Sequence, residues 1–551
     1  MKLLPKLTGL SLLAPLSAYC QPEQPNIIFF LVDDYGWLDS SVAYGEEVYP
    51  NNLRIQTPNM ERLSKMGVVM TNAYACPLST PTRTSLMTGM NSAHERVTTF
   101  TSPEKDSPTD CSGGSHGFYA SLDDLNKDSL FLRPDWNYNG ISPVKGGDHT
   151  LYATPMVQHL KDAGYFTIHV GKAHWASMGT PAASPLNMGF VVNIAGNMAG
   201  MPRSYYAEEN FGNIPDKWNY SAINDLEEFY GTDIDLTQAL TQKALAALDF
   251  PIRTHQPFYL YLSHYGVHTP IQANKNYYQK YIDAGLEEKT ACYASMVESV
   301  DESLGHVLDF IEQRGIADNT IIIFYSDNGG HSVNKAKGGK AHRFNAPLRE
   351  GKASVYEGGI RVPLMFYWPG KSAAGTRVNT PVVPEDFYPT ILSMAGIQEY
   401  HTGQTLDGKN LCDLIVKGSQ LARKAMDDGT ITNQKQANAF VVPESVSGIN
   451  PERPVIFHMP HRWRVEEQAD VDFMSAIREG EWKLVYRMRT GALELYNLPT
   501  DISERNDVAT AHPDIVKRLA SDLGLQLRAW DAPMPIYRAT GKPAPMPDKL
   551  K

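Results

Sequence analysis

The sequence predicts an α/β protein: a large, mixed but mostly parallel sheet sandwiched by helices, followed by a smaller C-terminal α+β subdomain. Three observations predict it. From Gln21 to about residue 450, apolar runs of strand length alternate with amphipathic helical stretches. Four of those runs end abruptly in polar, chemically capable residues, as strands do where an open α/β sheet builds its site. After Pro451 the pattern changes to short strand-like runs and one helix. A chain of 551 residues is also too long for one small core. The expected division is a signal segment over 1–20, a main domain over 21–452 and a subdomain over 453–551.

The elements follow in order. Lys2 and Lys6 precede an apolar run from Leu7 to Leu16, and Ala18-Tyr19-Cys20 ends before Gln21. That is the layout of an export signal, too short to span a bilayer. Tyr19 before Cys20 fits a lipoprotein box poorly, so cleavage is favoured over lipidation, and a periplasmic or secreted destination is expected. Asn26–Val32 is an unbroken apolar strand ending in Asp33-Asp34. Met60, Leu63 and Met66 mark a scaffold helix ahead of Gly67. Ser79-Thr80-Pro81-Thr82-Arg83 then opens a helix ending at Thr88-Gly89, with Pro81 suited to its first turn. Such a helix start presents free N–H groups and a positive dipole end beside Ser79, a seat for an anion, and Arg83 adds a fixed charge.

Residues 101–150, rich in Ser, Gly, Asp and Pro, read as a long insertion that shapes a cleft. Phe166–Val170 leads into Gly171-Lys172-Ala173-His174, and Phe258–Leu262 into Ser263-His264-Tyr265-Gly266-Val267-His268. Val297, Val300, Leu304, Val307, Leu308 and Ile311 form a helical core stripe that Gly315 stops. Thr320–Ser326 leads into Asp327-Asn328-Gly329-Gly330. Beyond Pro451, Val455–His458, Trp482–Arg487 and Leu493–Tyr496 read as strands, with a helix around Pro513–Trp530.

Asp33, Asp34, Asp327 and Asn328 form an oxygen-only set, which suits Ca²⁺ or Mg²⁺ rather than zinc. A single Asp-Asp pair at a strand end is more often a turn or helix cap; two acidic clusters at two strand ends favour the metal. A net charge of -11 argues against a nucleic-acid partner, since such binders carry a basic footprint. No later segment reads as transmembrane. Cys76, Cys111, Cys292 and Cys412 are too scattered for a disulfide framework. The loop after Asn328 is nonetheless basic: Lys335, Lys337, Lys340, His342, Arg343, Arg349 and Lys352. It is read as attracting an anionic substrate, with His331, Arg343, Arg349 and Arg462 as contacts. His458, His461, Arg462 and Arg464 are expected to form a second polar wall.

Six segments in order carry a family resemblance: Asn26–Asp34, Ser79-Thr-Pro-Thr-Arg83, Gly171-Lys-Ala-His174, His268-Thr-Pro270, Ser326-Asp-Asn-Gly329 and Gly351–Pro363. On these the chain resembles the type I, formylglycine-dependent sulfatases of the alkaline phosphatase superfamily. The resemblance implies the alkaline phosphatase-like fold and removal of O-sulfate, with Ser79 oxidised to formylglycine. It implies one divalent ion, Ca²⁺ first and Mg²⁺ as the alternative, held by Asp33, Asp34, Asp327, Asn328 and position 79. Arg83 then steadies the nucleophile, Lys172 and Lys352 clamp sulfate, His268 protonates the leaving alcohol and His174 takes a proton to expel sulfate. Ser rather than Cys at position 79 implies an anaerobic radical maturase as partner, acting before export. An exported member implies a sulfated oligosaccharide or polysaccharide substrate, galactose- or N-acetylgalactosamine-configured. The departure is Ala173-His174-Trp175, where many relatives place Trp before the His. An aryl or small-molecule sulfatase, a phosphodiesterase or phosphonate hydrolase, and a carbohydrate-binding pseudo-enzyme are the rival readings.

Overall fold

The structure, a computed structural model, describes residues 24–109, 128–215, 217, 219–331, 345–462 and 471–550. The signal segment, Cys111, Lys335, Lys337, Lys340, His342, Arg343 and Arg464 lie outside the described residues.

The main sheet has eight strands: β1 (Asn26–Val32), β2 (Val68–Met70), β3 (Phe166–Gly171), β4 (Val192–Ile194), β5 (Phe258–Ser263), β6 (Thr320–Ser326), β7 (Leu364–Tyr367) and β8 (Thr376–Val378). Their order is β8-β2-β7-β6-β1-β5-β3-β4. β1 lies between β5 and β6, parallel to both, with Ile28 opposite Leu260 and Ile322. β7 runs antiparallel to β6 and β2, which makes the sheet mixed.

All seven residues of β1 are buried, because its side chains alternate between two cores. Ile28, Phe30 and Val32 join one, which the helices α1 (Pro58–Met66), α3 (Leu236–Ala247) and α4 (Glu288–Gln313) cover. Ile27, Phe29 and Leu31 join the other, under α2 (Ser79–Thr88) and α5 (Phe387–Met394). Each such side chain, fully buried, contributes about 1.5–3 kcal/mol. The two cores therefore hold β1 rigidly, and its carboxyl end with it. Asp235 caps α3 by accepting from Gln238 N–H at 2.8 Å. Gly315, at φ 67°, turns the chain after α4 toward β6, as its spacing predicts.

The second sheet joins β9 (Val455–Met459), β10 (Met474–Glu479), β11 (Trp482–Arg487) and β12 (Ala492–Asn497), antiparallel in sequence order. Leu519, Leu523 and Leu527 of α6 (Pro513–Ala529) pack on one face against Ile477, Leu484 and Leu495. The other face, through Ala476, Val485 and Tyr496, packs on Tyr74, Val355, Tyr356 and Ile360 of the main body.

Buried charge accompanies that apolar joint. Lys483 Nζ, fully buried, lies 2.9 Å from Glu357 Oε1 and 2.8 Å from Glu504 Oε1. Burial pushes Glu504 up to about 7 despite Lys483, with Glu357 adding repulsion. Burial acts the same way on Glu357, but Lys483, Arg361 and Arg478 outweigh it and hold that carboxyl at about 2. Arg349, read from the sequence as a substrate contact, is placed at this joint. Its guanidinium donates to Tyr496 Oη at 2.9 Å and Glu504 O at 3.1 Å, and stacks on Tyr356 at 3.8 Å.

Candidate active site

The four polar strand ends converge. β1 ends in Asp33-Asp34, and Asp34 adopts φ 57°, a left-handed conformation that Asp tolerates better than most residues. In a continued strand, two successive side chains would face opposite sides of the sheet. The turn instead lets both carboxylates reach one cluster. Asp34 N–H donates to Asp327 Oδ1 at 3.2 Å, which ties the ends of β1 and β6 together. β3 passes through Gly171 at φ 94°, where a Cβ would meet Ser263 O at 2.0 Å. Only glycine permits that approach, and it delivers Lys172 beside β5.

α2 begins at Ser79, one turn-fraction earlier than Pro81 suggests, and all ten of its residues are buried. Leu78 at its cap offers no side-chain acceptor, so the first N–H groups keep their donors for something else. Arg83, fully buried, joins three strand ends. It donates to Asp327 Oδ2 at 2.9 Å, Lys172 O at 3.0 Å and Ser263 Oγ at 2.6 Å. Its charge is raised in stability because Asp327 and Asp33 outweigh the cost of burial.

Around Ser79 the charges alternate. Ser79 Oγ donates to Asn328 Oδ1 at 3.3 Å and accepts from Lys172 Nζ at 3.3 Å. Lys172 Nζ lies 2.6 Å from Asp33 Oδ2, and Lys352 Nζ lies 2.6 Å from Asp34 Oδ1. Asn328 Nδ2 donates to Asp34 Oδ1 at 2.8 Å. Two imidazoles face the same carboxylate: His331 Nε2 at 2.9 Å and His268 Nε2 at 3.8 Å from Asp34 Oδ2. Burial drives Asp33 well above the usual carboxylate range, reinforced by Asp327 and Asp34. Burial also lowers Lys172, so this pair shares its proton more evenly than a surface pair would. On Asp34, burial is outweighed by Lys352, His268 and His331, which hold it well below that range.

The two catalytic histidine candidates occupy different walls. His174, at φ 54°, is buried against α2, with Nδ1 3.3 Å from Thr80 Oγ1 and Nε2 3.2 Å from Thr101 O. Burial and then Lys172 lower it well below the usual imidazole value, so it rests neutral. His268 reaches the cluster from the loop after β5 and keeps 13% of its side chain exposed. Its Nδ1 lies 2.8 Å from Thr269 O, so that nitrogen carries the proton, leaving Nε2 toward the cluster. His264 is elsewhere, fully buried with Nε2 2.9 Å from Ser303 Oγ.

A model of the sulfatase family matches residues 25–397, which contain every one of these groups. The chain belongs to the sulfatase family. It is accordingly a sulfuric ester hydrolase, and the cluster lies where the six family segments meet. This sulfatase is 26% identical to a sulfatase of Formosa agariphila over 98% of this chain and 96% of that one. It is 30% identical to the N-acetylgalactosamine-6-sulfatase of Rattus norvegicus, covering 76% of this chain and 70% of the relative. Its fold resembles the crystal structure of Ps i-CgsB, with a TM-score of 0.64 at 24% identity over 92% and 93% of the two chains.

Of the residues read from the sequence as substrate contacts, His331, Arg349 and Arg462 are among the described residues, and the sulfatase fold brings His331 to the cluster. Arg462 instead lies 3.9 Å from Asp128, which Arg489 also pairs at 2.6 Å. His458 and His461 do not form a wall there. His458 is buried between Ser475 and Pro533, and His461 bonds Thr98. The sequence reading also missed the segment Ala195–Gly200. His174 N–H donates to Asn197 O at 3.1 Å, and a Cβ on Gly200 would stand 2.5 Å from His174 Cε1. The run of small residues there, Ala-Gly-Asn-Met-Ala-Gly, was its only signal. Among the described residues Cys76, Cys292 and Cys412 are free thiols, and no helix is long and apolar enough to cross a membrane.

Proposed function

We propose that this sulfatase removes O-sulfate from galactose- or N-acetylgalactosamine-configured glycans, with Ser79 converted to formylglycine and one divalent cation bound beside it. The observation that carries the reading is one linked cluster: Ser79 Oγ bonds Asn328 Oδ1 and Lys172 Nζ, Asn328 in turn bonds Asp34, and Lys172 pairs with Asp33 at 2.6 Å and Asp327 at 4.0 Å. Asp33 Oδ1 is buried there without a hydrogen-bond partner, and Asp33, Asp34 and His268 have ligand atoms within 4.8 Å of one another. Oxygen donors at that density fit Ca²⁺, with Mg²⁺ as the alternative. Formally, three carboxylates already balance Arg83, Lys172 and Lys352; a dication makes the centre positive and receptive to a sulfate ester.

Formylglycine as its hydrate, beside the cation, supplies the oxygen nucleophile for attack on sulfur. The chain's own groups do the rest. Lys172 and Lys352 are placed to hold sulfate oxygens and neutralise charge that grows in the transition state. His268, once Nε2 is protonated as well as Nδ1 when the anionic ester is bound, gives that Nε2 proton to the departing alcohol at the more open wall. His174, neutral and held against α2, takes a proton from the hydroxyl left at position 79, so that sulfate departs. The carbohydrate assignment is supported by the rat relative's name and by the solved complex of Ps i-CgsB with k-i-k-neocarrahexaose, at a TM-score of 0.63. Lys2, Lys6 and the Leu7–Leu16 run support export to the periplasm or beyond, and serine at position 79 supports a radical maturase as partner.

Sulfate release should be measured from defined sulfated galactose and N-acetylgalactosamine sugars and an aryl sulfate, using protein co-produced with an anaerobic maturase. Release from one of those sugars, absent in Ser79→Ala, is expected. Release from the aryl sulfate alone, with formylglycine verified by mass, would overturn the carbohydrate assignment.

A further inference from the structure

Next to the loop that carries His268 lies a cavity of about 600 Å³, lined by Met201–Arg203, Glu209, Tyr220, Thr269 and Pro270, among others. Its two sides are the segments that hold the two histidines. Gly200, in contact with His174, runs directly into Met201-Pro202-Arg203; His268 runs directly into Thr269-Pro270. Three bonds lock these segments together. Tyr205 Oη donates to Tyr265 O at 2.7 Å and His268 O at 2.8 Å, and Tyr205 N–H donates to Gln272 Oε1 at 2.7 Å. Arg203 N–H donates to Ser221 O at 2.8 Å, which closes the cavity wall behind it.

The cavity has the size of a site for one or two sugar rings. Arg203 is the single cation among its described lining residues, is exposed, and has no ion pair among the described residues. Glu209, the acidic residue of the lining, is exposed too and makes no ion pair with Arg203 among the described residues. A cavity bordering the loop of the proton donor is placed to receive the leaving alcohol's remaining structure.

We infer that this cavity holds the leaving-alcohol half of the substrate and that Arg203 selects for a second anionic group on it, a sulfate or a sugar carboxylate. The inference rests on the carbohydrate reading above. Guanidinium matches either anion through two parallel N–H donors, whereas a neutral sugar gains nothing comparable.

The test compares three disaccharides sharing one scissile sulfate: one otherwise neutral, one with a second sulfate and one with a uronate. Arg203→Gln should lower kcat/KM at least tenfold for whichever charged substrate the wild type prefers. It should leave the neutral disaccharide and an aryl sulfate within twofold. The sulfate and uronate arms identify the anion. Equal losses on all substrates, or none on the charged ones, would overturn the inference. Binding gives a readout without turnover: the charged disaccharides titrated calorimetrically into Ser79→Ala and into Ser79→Ala/Arg203→Gln. Absence of sulfate release by wild type from every disaccharide, with formylglycine verified by mass, defeats the carbohydrate reading, while equal affinity in the two titrated proteins defeats the role of Arg203.

Discussion

Gly200 stands against the imidazole of His174 so closely that a single added carbon would lie 2.5 Å from Cε1. Real Cβ atoms never come that near, so one of the two must move. Thr80, Thr101 and the Asn197 carbonyl already hold His174 from other sides. Gly200→Ala should therefore displace the ring from position 79 and lower kcat at least tenfold, as displacements of about 1 Å do. Stopped assays on the best sugar substrate read it; kcat within twofold of wild type would show that the ring has slack.

The two histidines of the loop after β5 should separate cleanly. His264 is pushed down to about 3 by burial and packs on Phe30 at 5.0 Å, so it serves the core as a neutral ring. His264→Phe should leave kcat within about threefold while costing about 1–2 kcal/mol for the lost bond to Ser303. His268→Ala should cost about 10²- to 10⁴-fold in kcat with little change in Tm. Kinetics and calorimetry on both variants would expose a reversed pattern.

At the joint between the sheets, Glu504 rises from the ordinary 4.5 to about 7. Its folded form thus binds a proton that the unfolded chain has lost, and stability falls as pH rises between those values. Glu357 has the opposite sign: its contribution is present above the ordinary 4.5 and is lost as pH falls toward about 2. From pH 5 to 8, only the Glu504 effect operates within this pair. Glu504→Gln should flatten that part of the profile in denaturant titrations at pH 5, 6.5 and 8. An unchanged slope would place the titration elsewhere.

Lys483→Met removes the ammonium that Glu357 and Glu504 share. Breaking a buried pair by deleting one partner costs about 3–5 kcal/mol, and the loss should be smaller at pH 5, where Glu504 is protonated. Denaturant midpoints at both pH values check this; a loss that grows on acidification contradicts it.

Chelation should abolish sulfate release and lower Tm, with Ca²⁺ restoring both. At a cation concentration a thousandfold above Kd the folded state gains about 4 kcal/mol. Asp33→Asn should lose most of that gain. An unshifted Tm in excess Ca²⁺ would tell against a bound ion.

What the sequence disclosed follows from how locally each feature is encoded. β1, β3, β5 and β6 are written as apolar runs, and the residues released at their ends are set by the chain's own direction. Asp33, Asp34, Lys172, Asp327 and Asn328 therefore come together once the parallel order is granted. β7 is short, and β10 mixes Ser475 and Arg478 among apolar residues, so their place depends on neighbours far along the chain. The surroundings of Arg349 were hidden for the same reason. A basic residue in a basic loop reads as a substrate contact until Tyr356, Tyr496 and Glu504 are seen around it. His458 and His461 likewise owe their roles to Ser475, Pro533 and Thr98 rather than to local pattern.

Lys172 and Lys352 each grip a carboxylate that the proposed cation also needs. Cation and sulfate ester then compete for nothing and assist each other: the one draws Asp33 and Asp34 away, and the freed ammoniums turn to the other. Reciprocity follows from thermodynamics. Whatever factor the cation adds to substrate affinity, substrate adds to cation affinity, so the enzyme should hold its metal most tightly while it is at work.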